Sequence, residues 1–142
     1  MNILVSACLL GINCRYNGVV IEDPKVKSLK DKYGIIPVCP EMLGGFATLR
    51  EPSEIKDGRV FTCSGKDVTM GFIHGAQETL TLAKLNCCEI AVFKERSPSC
   101  GCKKIYDGSF SGEIIDGNGI AAGLLLENGI NVIGESEAGE LL

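Results

Sequence analysis

Four short apolar runs punctuate the chain, at residues 2–6, 35–38, 88–93 and 130–133, and none of them alternates with polar positions. Continuous runs of this length predict strands buried on both faces, as in a parallel sheet covered by helices. Between the runs the period changes to that of a helix. Val26, Leu29 and Tyr33 share one face of a predicted helix, with Asp23 as N-cap, Pro24 at the first helical position and Gly34 as terminator. Ile73, Ala76, Leu80 and Ala83 keep a 3.6-residue period up to Leu85, with Thr69 placed to cap it. A further helix is predicted over 120–127, closed by Asn128-Gly129. Residues 41–65 are rich in Gly, Pro and charge without a helical period, which predicts a long functional loop with a small hairpin around 60–68. A second glycine-rich loop runs on to Gly119. The alternation of strand and helix predicts one α/β domain over residues 1–142: a mainly parallel, Rossmann-like sheet flanked by helices, with right-handed crossovers and a hairpin insertion.

Composition narrows the function classes. Hydrophobic residues at 45% and charged ones at 23% of 142 residues suffice for one packed core. Fourteen Lys+Arg against 18 Asp+Glu give a net charge of −4, without a basic block, which argues against a nucleic-acid polymer as partner. No Lys or Arg precedes the first apolar run, and Ser6 interrupts it, so a secretory signal is not expected. No apolar stretch approaches the roughly 18 residues of a membrane span. The expected location is a reducing cytoplasm, where cysteines serve as buried apolar residues, metal ligands or redox thiols more often than as disulfides.

Eight cysteines, at positions 8, 14, 39, 63, 87, 88, 100 and 102, then become the main chemical lead, because the single histidine, His74, leaves thiolates as the principal candidate ligands. Cys8, Cys39 and Cys100 each follow the carboxyl end of a predicted strand, where open α/β sheets hold their ligands, so three thiols are expected to converge. Cys87 and Cys88 begin the third strand and so fall at the opposite edge, about 17–20 Å away. Cys14 and Cys63 lie in loops with no required place, and Cys102 is the spare fourth thiol. Three thiolates without histidine suit zinc or an iron–sulfur cluster, and spacing alone does not choose between them. A cluster held by three cysteines leaves one iron without a protein ligand. A zinc- or cluster-binding module that senses metal or redox state, without catalysis, is the alternative function.

The local motifs narrow this further. Ser6-Ala7-Cys8-Leu9-Leu10-Gly11 with Arg15-Tyr16-Asn17-Gly18, Pro37-Val38-Cys39-Pro40-Glu41 with Gly44-Gly45, Arg50-Glu51-Pro52, and Ser97-Pro98-Ser99-Cys100-Gly101 with Tyr106-Asp107-Gly108 follow one another over almost the whole chain. In this order they resemble the 2-thiouracil desulfidase family, formerly grouped only as a domain of unknown function. The resemblance implies an α/β fold, a [4Fe-4S] cluster held by three cysteines that map onto Cys8, Cys39 and Cys100, and a small thiolated heterocycle as substrate. It also matches Glu41 to the catalytic acid/base; a carboxylate two residues from a ligand thiol can shuttle the proton that removal of sulfur from a thiocarbonyl requires. Ser97 is expected to orient water or substrate, and Ser99 to cap the turn around Pro98. Arg15 and Arg50 are candidates to fix the substrate's carbonyl oxygen, against the ordinary fate of arginines, which is exposure or pairing with a glutamate. His74 is expected to be structural.

Overall fold

The computed structural model describes all 142 residues. In chain order the elements are β1 (Asn2–Ser6), α1 (Pro24–Ser28), β2 (Gly34–Val38), α2 (Pro40–Leu43), β3 (Ser53–Lys56), β4 (Arg59–Thr62), α3 (Thr69–Leu85), β5 (Ile90–Phe93), β6 (Lys104–Tyr106), β7 (Ile114–Asp116), α4 (Ile120–Glu127) and β8 (Asn131–Gly134), with 3₁₀ turns at Ala7–Leu9, Leu29–Asp31 and Glu135–Leu141. Four strands form one sheet in the order β2-β1-β5-β8, and every pair in it is parallel. Leu4 stands between Ile36 and Ala91, and Ala91 in turn pairs with Val132.

The apolar runs are continuous because both faces of the sheet are covered. Leu4, Ala91, Phe93 and Val132 pack with Ala76 and Ala83 of α3 and with Ala121, Ala122 and Leu125 of α4. Their neighbours in sequence, Ile3, Val5, Val92 and Ile133, point the other way, into a layer with Val26, Leu29 and Ala138. The result is the predicted α/β architecture. The small side chains of α3 and α4 at this contact let two helices lie against the same four short strands.

Asp23 caps α1 as predicted, its Oδ1 accepting the N–H groups of Lys25 (3.0 Å) and Val26 (3.2 Å), with Pro24 at the first helical position. The long segment after β2 departs from expectation. It holds the single helical turn α2 and a hairpin, β3–β4, that spans 53–62 rather than 60–68. Asp57 (φ +51°) and Gly58 (φ +76°) turn this hairpin. Left-handed conformations at both central residues match the twist of two antiparallel strands, and Asp-Gly is the pair that tolerates them. The glycine-rich loop before α4 likewise contains a second hairpin, β6–β7, and the two hairpins share a small core of Ile55, Val60, Phe72 and Ile105. Thr69 is the first residue of α3 and not its cap; its backbone N–H donates to Asp67 (2.9 Å), and its hydroxyl is tied to Asp67 and to the backbone of Val60. No helix is long and apolar enough to cross a membrane.

Candidate functional site

The chain passes from β1 to β2 on one side and later to β5 on the other, so the strand order reverses at the β1–β5 boundary. A crevice opens outside the carboxyl ends of strands at such a point. A cavity of about 660 Å³ occupies it, lined by Cys8 from the turn after β1, Cys39 from the junction of β2 and α2, Cys100 from the loop after β5, and also Cys14. That volume lies in the range of small-molecule sites. Cys8, Cys14 and Cys100 are buried and Cys39 is half-buried.

Cys39 and Cys100 are held by backbone packed at distances that exclude a side chain. α2, which begins directly after Cys39, lies against α3 so closely that a Cβ on Gly75 would stand 1.9 Å from the carbonyl oxygen of Pro40. Gly75→Ala therefore must push α2 away, and with it Cys39 and Glu41. Overpacking of this kind costs about 1–3 kcal/mol. The expected outcome is a lowered urea midpoint and weaker loading with iron; an unchanged midpoint would mean that α2 yields freely. The Ser97–Cys100 loop is held by the start of α4, where Ile120 N–H donates to Pro98 O (2.8 Å), and Ala121 (2.9 Å) and Ala122 (3.1 Å) both donate to Ser99 O. Gly119 makes this approach possible, since a Cβ there would lie 2.5 Å from the Ser99 carbonyl carbon. Thus the first turn of α4 uses its unpaired N–H groups to fix the loop that carries Cys100.

Three of these thiols, Cys14, Cys39 and Cys100, are held in the protonated form at neutral pH. Cys14 hydrogen-bonds to Cys39, which favours the Cys14 thiolate, but the bond with Cys8 and burial prevail and raise it to about 11. The bond with Cys14 and then burial hold the Cys39 thiol far above its ordinary value. Burial pushes Cys100 up to about 12, against a hydrogen bond from Ser6 that favours its thiolate. A soft cation displaces such protons when it binds.

Glu41 forms the polar wall. Its Oε1 accepts from Arg50 Nε (3.1 Å) and its Oε2 from Ser99 Oγ (2.8 Å). The ion pair is nearly enclosed, with side-chain exposures of 15% for Glu41 and 12% for Arg50. Because the one hydroxyl proton of Ser99 is committed to Glu41, the 3.0 Å contact between the two serine oxygens must be a donation from Ser97 to Ser99. Ser97 Oγ also accepts the N–H groups of Ser99 (3.2 Å) and Cys100 (3.0 Å). The serines have therefore exchanged their expected positions: Ser97 caps the turn around Pro98, while Ser99 touches the carboxylate. Residue type and order do not distinguish them, since only the bend of the loop decides which hydroxyl points at Glu41.

The arginines also separate. Arg50 spends its donors on Glu41, on the carbonyls of Ala47 (2.7 Å) and Thr48 (3.3 Å), and on Cys14 O (3.0 Å), so it braces the carboxylate and the Cys14 loop rather than waiting for a substrate. Arg15 lines the cavity with its guanidinium 5.9 Å from the centre of the Tyr16 ring, and it makes no ion pair. Cys14, not Cys102, is the fourth thiol at the cavity. Gly11, at φ +88°, turns the chain after Cys8 so that Cys14 returns beside it, while the Cys102 thiol points into the fold and donates to Val132 O (3.2 Å). A glycine three residues after one cysteine and three before the next was the available signal. Cys63 is exposed, 3.5 Å from Glu51, and His74 is exposed on α3. Cys87 and Cys88 precede β5, at the far end of the sheet, as expected.

The donor set fits a thiolate-bound cluster. Four thiols line one cavity with no histidine, the soft donor set of iron–sulfur sites. No group of three or more His, Cys, Asp or Glu side chains is gathered as the ligands of a single metal ion.

Comparison with known proteins agrees with this chemistry. The chain is 45% identical over 150 aligned positions to the protein YbbK of Bacillus subtilis (strain 168), described as uncharacterized, with 99% of each chain covered. It is similar to the solved structure of the [4Fe-4S]-dependent thiouracil desulfidase TudS, with a TM-score of 0.92 and 40% identity over 99% of this chain and 94% of that one. Residues 3–137 match the family described as 2-thiouracil desulfurase. With its thiol-lined cavity at the sheet's switch point and its match along nearly the full length, the chain belongs to the 2-thiouracil desulfurase family.

Proposed function

We propose that this protein is a [4Fe-4S]-dependent desulfidase that hydrolyses the C=S group of a small thiolated heterocycle such as 2-thiouracil. The observation that carries the reading is one cavity shared by soft thiol donors and an enclosed Glu41–Arg50 pair. Cys8, Cys39 and Cys100, one from the end of each of three parallel strands, are the ligands in this reading. When bound, the cluster supplies an iron free of protein ligands, a Lewis acid able to hold a thiocarbonyl sulfur.

The chain's own residues do the rest. Glu41 takes a proton from a water whose oxygen adds to the thiocarbonyl carbon. The carbon–sulfur bond then breaks as the carbonyl forms; the departing sulfur takes the proton held by Glu41 and then the hydroxyl proton of the adduct, which Glu41 passes on in turn. One water enters and one hydrogen sulfide leaves, so no electrons are exchanged and no reductant is needed. Arg50 keeps the carboxylate aimed at the cavity. Ser99, with Ser97 behind it, donates to the same carboxylate and follows its charge as the proton moves. Arg15, which like Arg96 lines the cavity without an ion pair, is the cation assigned to meet the carbonyl oxygen of the heterocycle.

Anaerobic reconstitution with iron and sulfide is expected to give a brown protein with about four irons per chain, releasing hydrosulfide from 2-thiouracil. A protein that takes up one zinc per chain, resists exchange for iron and releases no sulfide would refute the reading in favour of a metal-binding module.

A further inference from the structure

The tip of the β6–β7 hairpin carries a contradiction. Phe110 adopts φ +57°, a left-handed conformation that a bulky residue rarely takes, between Gly108 at φ +95° and Gly112 at φ +84°. An outlier of this kind persists only where the surroundings enforce it. Here they do so from another element: Oε1 of Glu54, on β3, accepts both the Gly108 N–H (3.0 Å) and the Phe110 N–H (3.1 Å). Gly108 is pressed onto the same strand, its missing Cβ 2.8 Å from Ile55 O. The effort holds up no core, because Phe110 is 37% exposed and belongs to none of the buried apolar clusters. Its ring makes no aromatic pair, the one such pair being Phe46–Phe72. What the clamp does achieve is to place Phe110 in the wall of the 660 Å³ cavity, together with Tyr16, Tyr106 and the thiols.

The geometry points to Phe110 as a specificity-determining residue: a clamped aromatic face on which a flat, unsaturated heterocycle stacks, with Glu54 as the positioning residue that aims it. The inference rests on the proposed desulfidase reading and adds which property of the substrate is selected. A planar, polarisable ring gains from the face of a phenyl group, whereas a puckered, saturated ring of the same size does not. The carboxylate of Glu54 replaces the regular backbone partners that the hairpin tip lacks, so the ring is already in place before a ligand arrives and little ordering is required on binding.

The test uses reconstituted holoprotein, with 2-thiouracil and its 5,6-dihydro analogue as substrates and uracil as an equilibrium ligand measured by calorimetry. Loss of a stacking partner weakens binding by roughly 5- to 150-fold. Phe110→Ala is expected to raise KM for 2-thiouracil and Kd for uracil by that factor, to leave kcat and iron content near wild type, and to erase the preference for 2-thiouracil over the dihydro compound. Phe110→Tyr restores both constants. Glu54→Ala raises KM in the same sense, and Glu54→Gln, which keeps an oxygen acceptor, restores it. If wild type binds uracil and Phe110→Ala binds it equally well, or keeps the substrate preference, the stacking role is overturned while the desulfidase reading stands. If iron-loaded wild type neither binds uracil nor desulfurates a thiopyrimidine, both fall together.

Discussion

Glu41→Gln is expected to keep the cluster and to lose most of the turnover, by about 10²–10⁴-fold in kcat, the usual contribution of a positioned acid/base group. The substitution preserves volume, and the amide oxygen can still accept from one of the two partners, Arg50 Nε or Ser99 Oγ. It cannot accept a proton from water. The amide nitrogen also replaces an acceptor by a donor, so on the Ser99 side the direction of the Ser97–Ser99 hydrogen bond would have to reverse. Hydrosulfide release from 2-thiouracil, measured anaerobically on protein of known iron content, is the readout. A fully loaded variant that turns over near the wild-type rate would remove Glu41 from the chemistry while leaving the cluster assignment intact.

Cys39→Ser is expected to fail differently, by losing the cluster itself. A serine oxygen is a harder and far less acidic donor than a thiolate, and a poor match for the iron of a cluster. Iron should drop from about four per chain to a small fraction of that, with the brown absorbance and the activity lost in step. Cys8→Ser and Cys100→Ser are expected to behave alike. Cys63→Ser is the control, since Cys63 is exposed beside Glu51 and outside the cavity, and it should load normally. The pairing of the two experiments matters: activity lost with iron retained marks proton transfer, whereas activity lost in proportion to iron marks ligation. Full iron loading of Cys39→Ser would require a different thiol at that corner, and Cys14, hydrogen-bonded to Cys39, is the one within reach.

The sheet was legible because burial on both faces leaves an unmistakable trace: Ile3, Leu4 and Val5 are all apolar since one neighbour packs on α3 and α4 and the other toward α1. The cap at Asp23 was legible for a similarly local reason, as the N–H groups it satisfies are two and three residues away. The hairpins were not placed correctly. Their strands are four and three residues long, too short for a period to register, although Asp57-Gly58 marked the first turn.

The sequence by itself determined the α/β layering and brought Cys8, Cys39 and Cys100 to one edge of the sheet, because strand direction and alternation follow from the order of local patterns. Tertiary structure alone decided which side chains meet there. It placed Cys14 at the cavity and turned Cys102 away, gave Glu41 to Ser99 instead of Ser97, and committed Arg50 to the carboxylate. Each of these choices depends on loops whose course is set by close backbone packing, such as Gly75 against Pro40 and Gly119 against Ser99, between residues 20 to 35 positions apart in the chain. Contacts of that kind carry no periodic signal, and they come into being only once the helices have docked on the sheet.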